Sequence, residues 1–519
     1  MNRTKNLAQL EETSVWDVVI IGGGASGLGI ALDAANRGFK TLLLEKNDFA
    51  KGTSSRSTKL VHGGVRYLQN GDISLVIEAL RERGIMRKNA PHLVRDLSFV
   101  IPSYDWWSSP FYGIGLKIYD MMAGKLGLGP STILNREETL EYLPNVNQEG
   151  LRGGVIYHDG QFDDARMAIS LALTADQEGA TLLNYTEVIN LEKENNILTG
   201  LQIKDSISGS KKTIKAKVIL NATGVFSDTI IRMDQPKAKN MIRPSQGVHL
   251  VIDKSFLKGE NAIMVPHTTD GRVLFAVPWN GQVVLGTTDT PIDNALEEPI
   301  AFEEEIDFIL ENASAYMTKK PLRKDVKSVF VGLRPLAASN SKKESTKEVS
   351  RHHKIIVSTS GLISVLGGKW TTYRKIAEDA VNTIQMVGGF SDRKCSTETL
   401  PIFGNDYKIN FSDPYHFYGT EAVKIKALDP KTASSSLSKK IFISKNQIIW
   451  AIQEEMALTL EDILARRTRC LFLDAFETEK IAPKVASIMA EVLKKDSQWI
   501  KNEIDTFNLK DIFLNDGLN

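Results

Sequence analysis

Short apolar runs and glycine-rich turns alternate near the start of this 519-residue chain. Residues 16–21, WDVVII, form a β-branched apolar run of the kind that a buried parallel strand uses. GGGASG follows at once, LGIALDAANRG then has the pattern of a helix that ends at Gly38, and KTLLLEK predicts a second strand that ends in Glu45. This order predicts a unit of strand, turn, helix and strand.

The rest of the pattern divides the chain into regions of different character. KVILNATG at residues 217–224 predicts a strand, and GLISVLGGKWTTYRKIAEDAV at 361–381 repeats the order of strand, paired glycines and helix. HLVID, RVLFAVPW and QVVLGTTD, between residues 249 and 289, alternate as an antiparallel sheet does, and the polar residues 339–354 indicate a solvated loop. After about residue 391, patterns such as NQIIWAIQEEMALTLEDILARR predict a helical region.

Composition and charge exclude several classes of function. The formal net charge of +1 offers no general attraction to nucleic acid, so we expect no nucleic-acid binding. Cys395 and Cys470 are far apart and lie in no CxxC pair, and we predict neither a disulfide nor a metal site. The first residues include acidic side chains and no apolar core of signal-peptide length, and closely spaced glycines break the longest apolar run. We therefore expect a cytoplasmic protein without a membrane-spanning helix.

The glycines of the first unit have the GxGxxG spacing of a dinucleotide site. Gly22 permits a tight turn, Gly24 lets the backbone approach a pyrophosphate, and Gly27 allows the helix to pack closely on the strand. The helix N-terminus adds N–H groups and a partial positive charge. Glu45, roughly 20 residues further on, can accept hydrogen bonds from the ribose of an adenosine. FAD and NAD share this half-site, so the fingerprint alone leaves both open.

Other segments favour FAD over NAD. We find no second GxGxxG after a predicted strand, as a separate nicotinamide site would require, so we expect one dinucleotide. Gly367 and Gly368 would let a planar ring lie against the backbone, and the helix that begins near Thr371 and Thr372 would point its positive end at that ring. A reduced flavin carries negative charge and would gain from this arrangement. The segment 217–224 either returns the chain beside the nucleotide or is an ordinary buried strand and turn.

A set of motifs is spread over the chain: IGGGASGLG, SSRSTKLVHGGVRYL, NATG, PW, GTTD, GLRPL and GGKWTTYRKIAE. Together they resemble the FAD-dependent, quinone-linked respiratory glycerol-3-phosphate dehydrogenases, members of the D-amino-acid-oxidase-like flavoproteins. The resemblance implies an α/β and α+β fold, in which a Rossmann-like FAD-binding domain is interleaved with an antiparallel-sheet substrate domain and followed by a helical C-terminal domain. The implied ranges are 14–90, 150–245 and 355–390 for FAD binding, 91–149 and 246–354 for substrate, and 391–519 for the C-terminal domain.

The resemblance also nominates site residues. SSRSTKLVHGG would pass beneath the flavin, with its hydroxyl and N–H groups near the pyrophosphate and its glycines beside the ring. With the residues above, the candidate cofactor residues are Gly22, Gly24, Gly27, Glu45, Ser54, Ser55, His62, Gly63, Gly64, Ala222, Thr223, Gly224, Gly367, Gly368, Lys369, Thr371 and Thr372. Arginine holds phosphate with a planar fork, so the substrate phosphate should meet converging cations. The nominated substrate residues are Arg66, Tyr67, Arg334, Lys369 and Thr371.

The implied reaction oxidises sn-glycerol 3-phosphate to dihydroxyacetone phosphate by hydride transfer to FAD, and electrons then pass to a membrane quinone. His249 is the first candidate for the base because imidazole titrates near neutral pH, although its alternation with apolar neighbours is equally typical of a core residue. Arg66 and Arg334 are poor bases and would anchor the phosphate and stabilise a developing alkoxide. The candidate catalytic residues are therefore His249, Arg334 and Arg66.

Three other functions stay open. A glycerol-3-phosphate oxidase on the same fold would pass electrons to oxygen. An amino-acid or hydroxy-acid oxidoreductase would use its arginine for a carboxylate. An FAD-binding scaffold would catalyse no reaction, and its flavin would stay oxidised when glycerol 3-phosphate is added anaerobically.

Residues 104–130 are rich in aromatic and aliphatic side chains, with Lys117 and Lys125 among them. One interpretation is a core helix of the substrate domain. The other is a surface contact with a bilayer, where Trp and Tyr lie at headgroup depth and lysines meet anionic lipids. A protein that reduces a lipid-soluble quinone must reach the bilayer, so the resemblance implies peripheral association with the inner surface of the cytoplasmic membrane. A homodimer is also expected.

Overall fold

Two β-sheets organise the chain, and their strands are interleaved along the sequence. The computed structural model describes residues 1–64, 72–106, 108–266, 268, 271–338, 353–507 and 513. The strands are β1 (Trp16–Ile21), β2 (Thr41–Leu44), β3 (Leu60–Val61), β4 (Val94–Ser103), β5 (Thr132–Asn135), β6 (Gly153–Phe162), β7 (Thr181–Leu183), β8 (Thr186–Glu194), β9 (Ile197–Asp205), β10 (Lys211–Asn221), β11 (Ile242–Asp253), β12 (Ala262–Val265), β13 (Leu274–Trp279), β14 (Gln282–Gly286), β15 (Thr290–Pro291), β16 (Val326–Ala337), β17 (Lys354–Val357) and β18 (Ile363–Leu366).

Helices cover the sheets and form the C-terminal region. The α-helices are α1 (Arg3–Glu12), α2 (Ala25–Asn36), α3 (Ile73–Asn89), α4 (Ser108–Ala123), α5 (Arg136–Tyr142), α6 (Asp164–Gln177), α7 (Ser227–Asp234), α8 (Glu303–Tyr316), α9 (Tyr373–Gly388), α10 (Ala422–Leu428), α11 (Pro430–Ala433), α12 (Lys445–Glu454), α13 (Cys470–Leu473), α14 (Ala475–Leu493) and α15 (Ser497–Thr506). Short 3₁₀ turns at Thr53–Ser55 and Trp370–Thr372 lie near the site described below. None of the described helices combines the length and the apolar composition needed to cross a membrane.

The first sheet has the strand order β17-β18-β10-β1-β2-β7, and the β8–β9 hairpin extends it from β10. The strands from β18 to β7 are parallel. Both faces of β1 are buried, which explains its continuous apolar run. Val18 and Ile20 pack in the core formed with α2, α6 and α9, and Val19 and Ile21 pack in the core formed with α1 and the β8–β9 hairpin.

The second sheet has the order β15-β11-β14-β13-β12-β4-β6-β3, with β16 paired to β11 and β5 to β6. Its pairs are antiparallel except that β12 and β4 run parallel, a departure from the predicted antiparallel sheet. One face carries Leu250 and Val329 and packs against α8. The opposite face carries Val251 and Phe330 and packs against C-terminal helices. The predicted domain limits stay a prediction, and most of the loop expected at 339–354 lies outside the described residues.

The amphipathic run predicted after residue 445 is divided in two. The helix α12 ends at Glu454, Met456 has a φ of 55°, and a π-helix spans Asp462–Arg467. Glu455, between these helices, accepts two hydrogen bonds from Arg166 at 2.8 and 2.7 Å and is fully buried. This contact with α6 fixes the position of the break.

Candidate active site

The glycine turn after β1 depends on close backbone contacts. Gly22 has a φ of 110°, and a Cβ there would lie 2.7 Å from the carbonyl oxygen of Ala222. A Cβ on Gly27 would lie 1.9 Å from the carbonyl oxygen of Gly22, so only glycine lets α2 begin so near β1. Gly24 directly precedes α2, and the N–H groups of the helix N-terminus therefore open at the turn.

Glu45 ties this turn to the end of β2. Its Oε2 accepts the Gly23 N–H at 2.6 Å, and its Oε1 accepts the Asn47 N–H at 2.8 Å. Burial raises the pKa of Glu45, and the two backbone hydrogen bonds oppose that rise. The carboxylate lines the adjoining cavity, where its remaining lone pairs can accept from ribose hydroxyls. Sequence reasoning predicted the ribose contact and missed the bonds to the turn.

A cavity of 370 Å³, called here the cofactor cavity, opens at the carboxyl ends of β1, β10 and β18. Doubly wound sheets bind nucleotides at this edge. Its wall contains the predicted residues Gly22, Gly24, Glu45, Ser54, Ala222, Thr223, Gly224, Gly367, Gly368 and Lys369. Gly367 and Gly368 have φ values of 74° and 98°, a region that favours glycine.

The residues of the cofactor cavity fit FAD. A Cβ on Gly24 would lie 3.1 Å from the Ser54 hydroxyl, which accepts the Ala25 N–H at the N-terminus of α2 over 2.9 Å, so a side chain at Gly24 would crowd this contact. The N-terminus of α2 would hold the pyrophosphate, Glu45 the adenosine ribose, and Gly367 and Gly368 would border the flavin ring. Each part of the cofactor thus has a matching group in the chain.

A second cavity, of 240 Å³ and called here the substrate cavity, adjoins the first. The residues that line both are Thr53, Pro335, Gly367, Gly368, Lys369 and Trp370. The substrate cavity is also lined by Arg56, Ser57, Thr58, His62, Gly247, His249, Gly332, Arg334 and Thr371. A small molecule bound there would lie directly across the shared wall from the cofactor.

The register between β11 and β16 brings His249 and Arg334 to one face of the second sheet. Gly247 pairs with Gly332 and His249 with Phe330, and alternate residues of a strand share a face. A Cβ on Gly247 would lie 2.5 Å from Nη2 of Arg334, so glycine leaves the space that the guanidinium occupies. Sequence reasoning missed this glycine pair. In the sequence, each glycine lies two residues before a candidate site residue, Gly247 before His249 in QGVHL and Gly332 before Arg334 in GLRPL.

His249 is buried between its strand neighbours. Its ring stacks on Phe330 with 4.8 Å between centroids, and its Nε2 makes a 2.8 Å hydrogen bond with the hydroxyl of Thr58. Nδ1 has no hydrogen-bond partner among the described residues. Burial holds the pKa of His249 well below its ordinary value, and the charges of Arg334 and Lys59 lower it further. The imidazole is therefore neutral at pH 7.

Three cations converge on the substrate cavity: Arg334, Lys369 and Arg56. Nη1 of Arg334 lies 3.2 Å from the Asp289 carboxylate. Nη2 of Arg56 donates to Glu298 over 2.6 Å, and its Nε has no hydrogen-bond partner in the described part of the chain. Sequence reasoning missed Arg56, although it lies within the SSRSTK segment that was predicted to pass beneath the flavin.

The other predicted residues differ in their relation to the cavities. His62 lines the substrate cavity rather than the cofactor cavity. Gly63 donates its N–H to the Tyr119 hydroxyl over 2.8 Å, and a Cβ there would lie 2.5 Å from that oxygen, so packing favours a glycine here, and its contact with the flavin stays a prediction. Ser55, Gly64 and Thr372 are buried beside the cavities. The candidates Arg66 and Tyr67 lie outside the described residues.

Comparison with known proteins identifies the family. Residues 17–374 match the family of FAD dependent oxidoreductases, and residues 395–499 match the C-terminal domain of alpha-glycerophosphate oxidase. The chain is 39% identical over 534 residues to a probable mitochondrial glycerol-3-phosphate dehydrogenase of Dictyostelium discoideum, covering 95% of this chain and 83% of the relative. It is 36% identical over 542 residues to the mitochondrial glycerol-3-phosphate dehydrogenase of Homo sapiens, covering 97% and 74%.

Solved structures agree with these relatives. The glycerol-3-phosphate dehydrogenase of Bacillus halodurans complexed with FAD superposes with a TM-score of 0.78 at 29% identity and covers 97% of this chain and 96% of that one. The L-alpha-glycerophosphate oxidase of Mycoplasma pneumoniae, at 18% identity, has a TM-score of 0.58 over 74% of this chain and shares the fold. The predicted fold class and the predicted FAD cofactor are confirmed. The chain belongs to the FAD-dependent oxidoreductases and, among them, to the glycerol-3-phosphate dehydrogenase family.

Proposed function

We propose that the protein oxidises sn-glycerol 3-phosphate to dihydroxyacetone phosphate in the substrate cavity. The observation that carries the proposal is the convergence of three cations and a neutral histidine on a small cavity that shares a wall with the cofactor cavity. FAD, when bound, accepts the hydride that leaves the substrate carbon. The side chains of the protein must bind the phosphate, orient the carbon and remove the hydroxyl proton.

The cations suit a phosphate ligand. Arg334, Arg56 and Lys369 line a space of 240 Å³, which is large enough for a three-carbon phosphate. Guanidinium groups bind phosphate oxygens through paired, charge-assisted hydrogen bonds. The candidates Arg66, Tyr67 and Thr371 are proposed to complete the substrate site. Arg334 would also stabilise negative charge that develops on the substrate oxygen.

His249 is proposed to accept the proton of the secondary hydroxyl at Nε2. The Thr58 hydroxyl lies on the wall of the same cavity and hydrogen-bonds to Nε2, so it can take the substrate proton as it gives its own proton to the imidazole. The neutral ring is already in the state that accepts a proton. A bound phosphate would offset the charge of Arg334, one of the groups that lower the pKa of His249, so substrate binding makes the imidazole a stronger base.

Anaerobic reduction tests the reaction. Adding sn-glycerol 3-phosphate to purified FAD-loaded protein should bleach the flavin absorbance at a rate consistent with turnover, and dihydroxyacetone phosphate should form in equal amount. Amino acids and 2-hydroxy acids should leave the absorbance unchanged. A flavin that stays oxidised with glycerol 3-phosphate would favour the scaffold, and bleaching by a carboxylate substrate would favour the other oxidoreductases.

We further propose a membrane quinone as electron acceptor and α4 as the membrane contact. The side chains of Phe111, Ile114, Ile118 and Met121, spaced three or four residues apart, are 62%, 67%, 46% and 81% exposed. The opposite face of α4 packs in the interior. The helix α4 is therefore compatible with both a core helix and a membrane contact. One face of α4 belongs to the core, and the other face presents apolar side chains to the surroundings.

Liposome binding tests this contact. Changing Phe111, Ile114 and Met121 together to Ser should reduce sedimentation with anionic liposomes and reduce quinone reduction, while activity with a soluble dye survives. A matched control changes three equally exposed apolar residues elsewhere, Met386, Val423 and Ile207, to Ser. Equal loss of binding in the two triple variants would mean that α4 is not the contact.

Oxygen is the second candidate acceptor, because residues 395–499 match a domain named after alpha-glycerophosphate oxidase. In air-saturated buffer an oxidase would form one hydrogen peroxide for each substrate oxidised. We expect peroxide to be a minor product and a soluble quinone analogue to raise the turnover rate. Stoichiometric peroxide that is insensitive to added quinone would favour the oxidase.

A further inference from the structure

A buried ion pair lies directly beyond the contact between Thr58 and His249. Nζ of Lys59 is 2.8 and 2.9 Å from the two carboxylate oxygens of Asp164, and both side chains are fully buried. Nζ also donates to the carbonyl oxygen of Ser55 over 2.7 Å. Three acceptors around one amino group match the three hydrogens of an ammonium ion, and the charge of Asp164 opposes the burial that lowers the pKa of Lys59.

The same carboxylate holds the turn that contains Thr58. Oδ2 of Asp164 accepts the N–H of Ser57 at 3.0 Å and its hydroxyl at 2.7 Å. The Ser57 hydroxyl oxygen in turn accepts the N–H of Lys59 at 3.1 Å. Lys59 has a φ of 64°, a conformation that lysine rarely adopts unless its surroundings fix it. Thr58 lies between these two residues, so the ion pair fixes its backbone on both sides.

Aromatic rings enclose the ammonium group and connect it to the C-terminal region. The rings of Trp279, Phe330 and Phe472 have centroids 5.1, 5.0 and 5.0 Å from Nζ. Such contacts attract a cation, most strongly when it is desolvated. Phe330 also stacks on His249, and Phe472 belongs to α13. Phe472, a residue of the C-terminal region, therefore helps to enclose the Lys59 ammonium group behind the substrate cavity.

We propose that Lys59 and Asp164 are positioning residues, whose ion pair fixes the Ser57–Lys59 turn and thereby keeps the Thr58 hydroxyl against Nε2 of His249. This inference rests on the proposed function, which gives that contact its purpose. Neither Lys59 nor Asp164 lines the substrate cavity, whereas Ser57 and Thr58 do. A fully buried ion pair adds little net stability compared with an apolar pair, so geometric control is the better explanation for these charges.

A double-mutant cycle separates positioning from a merely structural role. Lys59→Met and Thr58→Val should each lower kcat about 10- to 100-fold while FAD stays bound. The double variant should fall no more than about threefold below the slower single variant, because both changes remove one contact. Thr58→Ser keeps the hydroxyl and should recover most of the kcat that Thr58→Val loses. Losses that multiply in the double variant would overturn the proposal.

The pH profile gives a second readout. Lys59→Met removes one of the charges that lower the pKa of His249, so the acid limb of kcat/KM should move to higher pH. Asp33→Asn is the matched control, since it breaks a buried ion pair of 2.6 Å with Arg37 that touches neither cavity. That control should lower the thermal midpoint and leave kcat and the pH profile unchanged. An unmoved acid limb in Lys59→Met contradicts the inference.

A crystal structure of FAD-bound Lys59→Met makes the test independent of activity. We expect the distance from Thr58 Oγ1 to His249 Nε2 to exceed hydrogen-bonding range, and a contact retained at 2.8 Å would overturn the proposal. If Lys59→Met does not fold, Asp164→Asn, which keeps the size of the side chain, is examined in the same way. Wild-type protein that is not reduced by glycerol 3-phosphate would overturn the proposed function, while the crystallographic distance would still decide the positioning inference.

Discussion

The two adjoining cavities are built by different means. Backbone shapes the parts of the cofactor cavity proposed for the pyrophosphate and the flavin ring: the left-handed turn at Gly22, the N-terminus of α2, and the glycines at 367 and 368. The substrate cavity is made of side chains, chiefly His249, Arg334 and Arg56, which reach it from two strands and a loop far apart in the sequence. The cofactor cavity needs positions without side chains, whereas the substrate cavity needs particular side chains.

This difference predicts different kinds of failure. An added side chain in the cofactor cavity displaces the ligand, so the expected effect is loss of FAD. A removed side chain in the substrate cavity leaves FAD in place and lowers turnover by the amount that the group contributes. The predictions below compare the two, beginning with the largest effect.

Gly24→Val should abolish FAD binding. A Cβ at this position already approaches the Ser54 hydroxyl to 3.1 Å, and the two methyl groups of valine would fill the space proposed for the pyrophosphate. The purified variant should be colourless. Gly115→Val is the control, since a Cβ there meets no atom within 4 Å, and it should keep the flavin spectrum. Full flavin absorbance in Gly24→Val would show that the nucleotide lies elsewhere.

His249→Gln should retain FAD and lose about 10²- to 10⁴-fold in the rate of flavin reduction, the usual contribution of a general base. Because the pKa of His249 lies well below its ordinary value, the wild-type rate should be full at neutral pH and fall only as the pH drops through that lowered pKa. Stopped-flow measurement of the rate of flavin bleaching at a series of pH values tests both effects. His158→Gln, a half-buried histidine on β6 away from both cavities, should behave as wild type. An unchanged rate in His249→Gln would make His249 a core residue.

Arg334→Ala should weaken kcat/KM by about 2 to 4 kcal/mol, because it removes a charge-assisted contact from a largely desolvated site. The same change removes the charge that lowers the pKa of His249 most after burial, so the acid limb of the profile should move to higher pH. FAD content should not change. Arg323→Ala, which breaks a surface ion pair with Asp307, is the control and should have no effect on kcat/KM. A small loss in Arg334→Ala would place the phosphate anchor elsewhere.

The first part of the cofactor cavity, the unit of β1, turn, α2 and β2, was predictable from the sequence because its elements are local. The predicted strand 16–21 coincides with β1 (Trp16–Ile21), and the turn, α2 and β2 follow in the predicted order. Glycine positions and strand ends within 30 residues determine this unit. The sequence does not distinguish the possible roles of Gly63, because a glycine that packs against Tyr119 has the same appearance in a sequence as one that lies beside a ligand.

The side-chain cavity was only partly predictable, because it depends on pairings that no local pattern encodes. His249 and Arg334 were nominated through the resemblance, and their shared face follows from the register of two strands separated by about 80 residues. The contact of Thr58 with His249 and the ion pair of Lys59 with Asp164 join residues more than 100 positions apart. Charge and polarity mark such residues as costly to bury, but they do not identify the partner.

Glu45→Gln should give the smallest effect, because Glu45 only supports the glycine turn of the cofactor cavity through hydrogen bonds to the backbone. Its two oxygens accept the N–H groups of Gly23 and Asn47, and a glutamine would oppose one of those donors with its own NH₂ group. We expect FAD affinity to fall about tenfold, equivalent to roughly 1.4 kcal/mol, with kcat unchanged once FAD is saturating. Fluorescence titration of FAD into apoprotein measures the affinity.

The control is Glu187→Gln, on the wall of the same cavity but not bonded to the turn, which should change the FAD affinity less than about threefold. If both variants bind FAD as wild type does, the glycine backbone alone holds the nucleotide, and the contrast between the two cavities is sharper than proposed.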